Sequence, residues 1–154
     1  MIQLHCWLTS TAIAVTLSFP AVAGDSKPDH GKLDQCNQLI TITNTATTEL
    51  QDTSTAKGEA VETMKKMVEI LDRNVQSFKG ISLSDPRLQG FQQRLVGLYA
   101  NTRDAGLMLV KAAERKDEKA MQDALVILTA ASEEELPLID DINRYCNAKE
   151  GLNS

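Results

Sequence analysis

The apolar residues between positions 86 and 115 recur every three or four residues, which is the spacing of one face of an α-helix. They are Leu88, Phe91, Leu95, Leu98, Ala105, Leu109 and Ala112, with Thr102 as the one polar residue on the stripe. A helix of this length is roughly 45 Å long at about 1.5 Å per residue, and its apolar stripe must be buried against partner helices. The pattern predicts a long core helix over 86–115.

A second stripe of the same spacing predicts a helix over 61–79. It consists of Val61, Met64, Val68, Leu71, Val75 and Phe78. Gly80 follows at a position where glycine commonly ends helices. Ser84 or Asp85 then supplies an N-cap for the next helix, and Pro86 suits its first turn because that turn needs no backbone N–H donor.

The segment 32–55 carries two conflicting patterns. Leu33, Cys36, Ile40 and Leu50 follow helical spacing, whereas the run ITITNTATT alternates and is rich in β-branched residues, as in a strand. We favour a helix, because the helical period begins first and an isolated strand has no partner to pair with.

The last helix is predicted over 117–148, with Asp117 as its cap. Pro137 removes one backbone hydrogen bond, so we expect a kink near it. Ser132 with Glu135 also forms a capping-box pattern, which favours a restart of the helix near Ser132.

Four amphipathic helices joined by short loops predict an all-α domain over 32–148, arranged as an antiparallel up-down-up-down four-helix bundle. In this topology the start of helix 1 and the end of helix 4 lie at the same end of the bundle. Cys36 and Cys146 occupy those two places.

Residues 1–23 are typical of a secretory signal peptide. An apolar run over 7–19 precedes Pro20 and the small residues Ala21, Val22 and Ala23. The first residues contain no Lys or Arg, so a retained membrane anchor is the alternative. After cleavage we expect a flexible leader over 24–31, the bundle, and a frayed tail over 149–154.

Export makes a disulfide between Cys36 and Cys146 the expected state, because exported proteins meet an oxidising environment. We therefore expect a periplasmic or extracellular protein with no stable membrane insertion after cleavage. The net charge of −5, with no basic stripe, argues against nucleic-acid partners.

Catalytic motifs are absent from the sequence of the predicted bundle. Haem and di-iron bundles use histidine ligands, and the segment 32–148 contains no histidine. It also lacks a phosphate-binding loop and a Ser/His or Cys/His pair. We predict a non-enzymatic protein without a cofactor or metal, and interpret the acidic residues of helix 4 as a solvated face and Met64, Met67, Met108 and Met121 as core.

Three segments carry a family resemblance: LSDPRLQGFQQRLVGLYANTRDA, KDEKAMQDAL and INRYC. They resemble a group of small exported helical proteins of cyanobacteria that have no assigned function. The resemblance covers most of the chain after residue 23. It implies a protein of the cell envelope and supplies no catalytic residues.

The leading hypothesis for function is a binding or scaffolding module that engages an envelope protein partner. Val96, Tyr99, Gly106 and Val110 form a second apolar strip on helix 3, beside the core stripe, and Gly106 would allow close approach. The alternative is that this strip widens the core face. The oligomeric state does not follow from the sequence.

The second hypothesis is a small-ligand or metal-binding bundle with a polar site at mid-height. Polar residues interrupt three helices near their midpoints: Thr43, Thr47, Thr102, Ser132 and Glu135. Buried polar groups without partners are costly, so such a layer must be satisfied. The alternative is that the threonines bond to carbonyls of their own helix and Glu135 turns outward to water.

Overall fold

The computed structural model describes residues 30–148, and within them it shows four helices and no strands. The helices are α1 (His30–Thr55), α2 (Ala60–Gly80), α3 (Pro86–Arg115) and α4 (Glu118–Asn147). The four-helix, all-α prediction is confirmed, and α1 begins two residues before its predicted start. The predicted signal peptide, the leader up to residue 29 and the tail over 149–154 lie outside the described residues.

The helices pack side by side as a bundle, with consecutive helices antiparallel. Three cross-helix ion pairs mark which residues lie at the same level: Glu49–Arg73 joins α1 to α2, Asp72–Arg103 joins α2 to α3, and Arg94–Asp141 joins α3 to α4. The α2–α3 and α3–α4 pairs pack most extensively, whereas α1 packs mainly on α2 and only sparsely on α3 and α4.

The largest fully buried side chains come from all four helices. They are Phe78, Leu39, Leu88, Leu95, Leu138, Val75 and Cys36. All except Leu39 lie at positions that the 3-4 spacing assigned to the core; on α1 the predicted Leu33 is exposed and Leu39 is buried instead. The burial of apolar surface is the main force that aligns the helices.

The Thr-rich run is helical throughout, so the strand pattern in α1 is misleading. The hydroxyls of Thr43, Thr47 and Thr48 each donate to the carbonyl four residues earlier in α1. This bond lets a β-branched polar residue remain in a helix without an unpaired hydroxyl.

Helix α4 runs without interruption through Ser132 and Pro137. The predicted restart near Ser132 is therefore wrong, and the Ser132 hydroxyl donates to the Thr129 carbonyl within the same helix. Pro137 lies inside the helix as predicted, while the kink itself stays a prediction.

The end of the bundle that holds the start of α1 and the end of α4 contains a disulfide and a polar network. Cys36 and Cys146 are bonded, with Cα atoms 5.8 Å apart, which confirms their pairing. The Gln35 side chain accepts from the backbone N–H groups of Ser84 and Asp85. Covalent and polar bonds thus hold α1, the α2–α3 connection and α4 together at this end.

Asp85 is the N-cap of α3, where its carboxylate accepts from the backbone N–H groups of Arg87 and Leu88. Its second oxygen accepts from the Tyr145 hydroxyl of α4 at 2.6 Å. Burial opposes ionisation of Asp85, but these hydrogen bonds outweigh it and hold its pKa below the usual range. The cap and the α4 contact therefore depend on one ionised carboxylate.

Among the described residues, none of the helices is both long enough and apolar enough to span a bilayer.

Reduction of the disulfide tests how strongly it supports the fold. The bond spans 110 residues of chain, and on the chain-entropy model such a bond contributes about 4–5 kcal/mol. We expect strong reductant, or the double change Cys36→Ala with Cys146→Ala, to lower Tm by roughly 10–15 °C. An unchanged circular-dichroism melt under reductant would contradict this.

Gly106 and Gly97 form a matched pair for testing packing between α2 and α3. A Cβ added at Gly106 would lie 2.8 Å from Val68 Cγ2, whereas one added at Gly97 meets nothing within 4 Å. Because Ala favours helix over Gly, Gly97→Ala should stabilise the protein by up to about 1 kcal/mol. Gly106→Ala should instead destabilise it by roughly 1 kcal/mol through overpacking. Urea unfolding distinguishes them, and equal shifts would refute close packing at Gly106.

Candidate functional site

Tyr99 places a polar atom in the core of the bundle. Its side chain is only 3% exposed, and its ring packs edge-on against Phe78 with centroids 5.2 Å apart. The Tyr99 hydroxyl oxygen is buried, and no partner among the described residues meets it with standard hydrogen-bond geometry. Since an unpaired buried hydroxyl costs about 1–3 kcal/mol, it is the feature of this core that most needs an explanation.

The exposed Thr47 of α1 lies within reach of a hydrogen bond with the Tyr99 hydroxyl, and the charge of Glu135 of α4 acts on the same hydroxyl. Helix register supports this placement. Counting six residues along each antiparallel helix from the Arg94–Asp141 pair leads to position 100 on α3 and to Glu135 on α4. We call Thr47, Tyr99 and Glu135 the polar layer.

The other predicted ligand residues lie outside the polar layer. Thr43 is buried one turn from Thr47, and its hydroxyl donates to the Leu39 carbonyl at 2.9 Å. Thr102 lies about one turn beyond Tyr99 and donates to the Leu98 carbonyl. Ser132 is exposed. The alternative that the hydroxyls bond within their own helices is therefore correct for these residues, and ligand binding stays a prediction.

Glu135 does not turn fully outward to water. Its side chain is half-buried, and this burial raises the pKa of its carboxyl group. Burial likewise raises the pKa of Tyr99, the Glu135 charge raises it further, and Thr47 acts in the opposite direction. Both groups therefore favour their neutral forms more than they would in water.

Sequence analysis placed Tyr99 on the second apolar strip of helix 3 and missed it as a member of this layer. The apolar spacing marks Leu98 and Thr102 as the inward positions, with Tyr99 on their flank. A tyrosine on that flank, level with a mid-bundle glutamate on the neighbouring helix, is the signal that would have identified it.

The strip predicted as a partner surface is part of the core. Tyr99 and Val110 are buried, Gly106 lies against Val68 of α2, and Val96 is half-buried. The proposal of a binding surface at these residues is wrong, because α2 covers this flank of α3. The alternative, that the strip widens the core face, agrees with the structure.

A different apolar surface lies on the outside of α3 and α4. Met108 is 43% exposed, Ile127 is 39% exposed and Val126 is 69% exposed. Counting fourteen residues along each antiparallel helix from the Arg94–Asp141 pair leads to Met108 on α3 and Ile127 on α4, so the two lie at one level. We call Met108, Val126 and Ile127 the outer patch. Sequence analysis assigned Met108 to the core, and its exposure corrects that assignment.

A surface groove between α2 and α3 has a volume of about 560 Å³ and is lined largely by charged residues. Its central Arg103 binds Asp72 and Asp104, and its Arg73 binds Glu49. These pairs neutralise both arginines, and Glu69 adds a further negative charge to the lining.

Across residues 30–148, no group of three or more His, Cys, Asp or Glu side chains is arranged to hold a metal ion. The acidic residues of α4 do not form such a group in this part of the chain.

The described residues thus define an all-helical, disulfide-linked four-helix bundle. No protein-family model, curated protein or solved structure matches the chain.

The raised pKa of Glu135 predicts a pH-dependent difference in stability. The pKa of Glu135 in the folded protein lies above its ordinary value of 4.5. The folded state therefore gains its full stability from protonated Glu135 below pH 4.5. It loses this contribution as the pH rises through the folded pKa. We expect Glu135→Gln to be more stable than the parent protein at pH 7, with the difference shrinking toward pH 4.5. Urea unfolding across this range measures it.

Glu134→Gln is the control, because it removes the same charge at an exposed position of the same helix. If both variants showed the same dependence on pH, burial of Glu135 would not be the cause.

Proposed function

We propose that this chain is a non-enzymatic binding module of the cell envelope, and that it engages a protein partner through the outer patch. The observation that supports this most is the exposure of three apolar side chains at one level of two rigidly packed helices. Single exposed apolar residues are common on protein surfaces, whereas adjacent ones on a well-packed face are typical of interaction sites.

The rest of the bundle suits the role of a rigid support. Helices α3 and α4 pack extensively on each other, and Asp85 and Asp117 cap their N-termini through side-chain acceptors. A surface held by such helices loses little conformational entropy on binding, which favours affinity. The disulfide and the family resemblance support an exported location, periplasmic or extracellular.

The partner surface is expected to be apolar and either helical or flat, because the outer patch lies on the exposed sides of two adjacent helices. Charged residues lie one turn from it along each helix: Asp123 on α4, bound by Lys119, and Asp104 on α3, bound by Arg103. A polar rim around an apolar centre is the usual anatomy of a protein interface.

Substitution of the patch tests the proposal. We expect Ile127→Lys to reduce crosslinked capture of the partner from envelope fractions about tenfold or more, since losing a central apolar anchor costs roughly 1–2 kcal/mol or more. Leu136→Lys makes the same chemical change on α4 outside the patch and should leave capture unchanged. Light scattering on the isolated protein identifies self-association.

Two results would contradict the proposal. One is capture of the same proteins by the parent chain and by Ile127→Lys in equal amounts. The other is equal loss with Leu136→Lys, which would indicate a general effect of added positive charge on α4.

A further inference from the structure

The surface groove between α2 and α3 lies directly beside the outer patch. Leu107 lines the groove, Met108 belongs to the outer patch, and these consecutive residues of α3 are both exposed. The groove therefore lies on the α2 side of this turn of α3, and the outer patch lies on its α4 side. One partner surface laid across α3 at this level would cover both.

The groove has an apolar base and charged edges. Val68 of α2 is almost fully buried and closes the base, while Leu107 of α3 is 38% exposed along the wall. Three carboxylates and two guanidinium groups complete the lining, so its charge is negative overall. The cavity of about 560 Å³ opens to the surface and leaves room for a long side chain.

Glu69 carries the uncompensated charge of this lining. Both arginines of the groove are bound to carboxylates. The Glu69 carboxylate forms no ion pair within the described part of the chain, although Lys66 lies one turn before it on α2. Because a carboxylate only accepts hydrogen bonds, what the groove lacks is a positive charge with N–H donors.

We propose that the groove receives a lysine or arginine side chain of the protein partner that covers the outer patch. This inference rests on the proposed function, since it places the basic residue beside the partner's apolar contact. The alkyl stem of that side chain lies along Val68 and Leu107, and its charged head binds Glu69, as basic side chains do when they lie on apolar surface. The partner is thus a basic amphipathic surface.

Charge favours such a partner over a second copy of this chain. The chain has a net charge of −5, so two copies repel each other, whereas a basic surface is attracted. An ion pair at the edge of an apolar contact also orients the partner and speeds association.

A synthetic amphipathic helix tests the groove with a defined probe. The probe is a leucine and lysine peptide of roughly 14 residues, which is about four helical turns. Leucines occupy one face and lysines both flanks, so a lysine lies beside the apolar contact in either orientation. A matched peptide carries Nε-acetylated lysines, which keep the alkyl stem and lose the charge. NMR shifts of the Leu107, Met108 and Ile127 methyl groups measure binding at the groove and at the outer patch.

We expect Glu69→Gln to weaken binding of the lysine peptide about twofold to fivefold, as for an exposed ion pair. Binding of the acetylated peptide should not change. The effect of Glu69→Gln should shrink as salt rises from about 50 mM to about 500 mM, because salt screens exposed charges.

Glu134→Gln is the matched control, because it removes the same charge from an exposed position of α4 outside the groove and the outer patch. It should change affinity for the lysine peptide by less than about 1.5-fold. Circular-dichroism melts establish that both variants fold.

The outcomes separate this inference from the proposed function. Equal affinity of the parent chain and Glu69→Gln for the lysine peptide, or equal weakening by Glu134→Gln, would overturn the role of the groove and leave the outer patch standing. Unchanged peptide binding by Ile127→Lys would count against the outer patch itself. Dimers of the isolated chain that shift the Leu107 methyl groups would assign the groove to a second copy and overturn the inference.

Discussion

The bond between Cys36 and Cys146 is the constraint on which the position of α1 depends. This helix contributes few large apolar side chains and packs sparsely on α3 and α4. Burial of apolar surface therefore holds it mainly against α2. The disulfide fixes its first turns to the end of α4, and Gln35 ties the same turns to the connection between α2 and α3. Helix α1 is thus anchored at one end by bonds and along its length by one neighbour.

Nearly all buried polar side chains in the described part of the chain have a hydrogen-bond partner, and the Tyr99 hydroxyl is the exception. The buried Asn74 side chain donates to the Ile70 carbonyl, and Gln92 donates to the carbonyls of Phe78 and Ile81 at the end of α2. Folded proteins rarely leave such atoms unpaired. The Tyr99 hydroxyl is such an atom, and it lies on α3, on which α1 packs only sparsely.

The bundle separates two kinds of surface. The interior layer at Tyr99 is polar, partly closed and lined by a carboxylate that burial makes easier to protonate. The outer patch at Met108 and Ile127 is apolar and exposed on two extensively packed helices. The two regions lie on different sides of α3 and α4.

The sequence by itself determined the four helices, their order and the disulfide, since apolar spacing, capping residues and two end-placed cysteines are local or topological signals. Thr47 and Glu135 were also recognised as mid-bundle polar residues. Only the tertiary structure decided which flank of α3 is covered: α2 packs against Gly106 and buries Tyr99, while Met108 lies on the open side. The physical reason is that spacing along one helix defines the centre of its buried face, whereas the width of that face depends on how its neighbours pack.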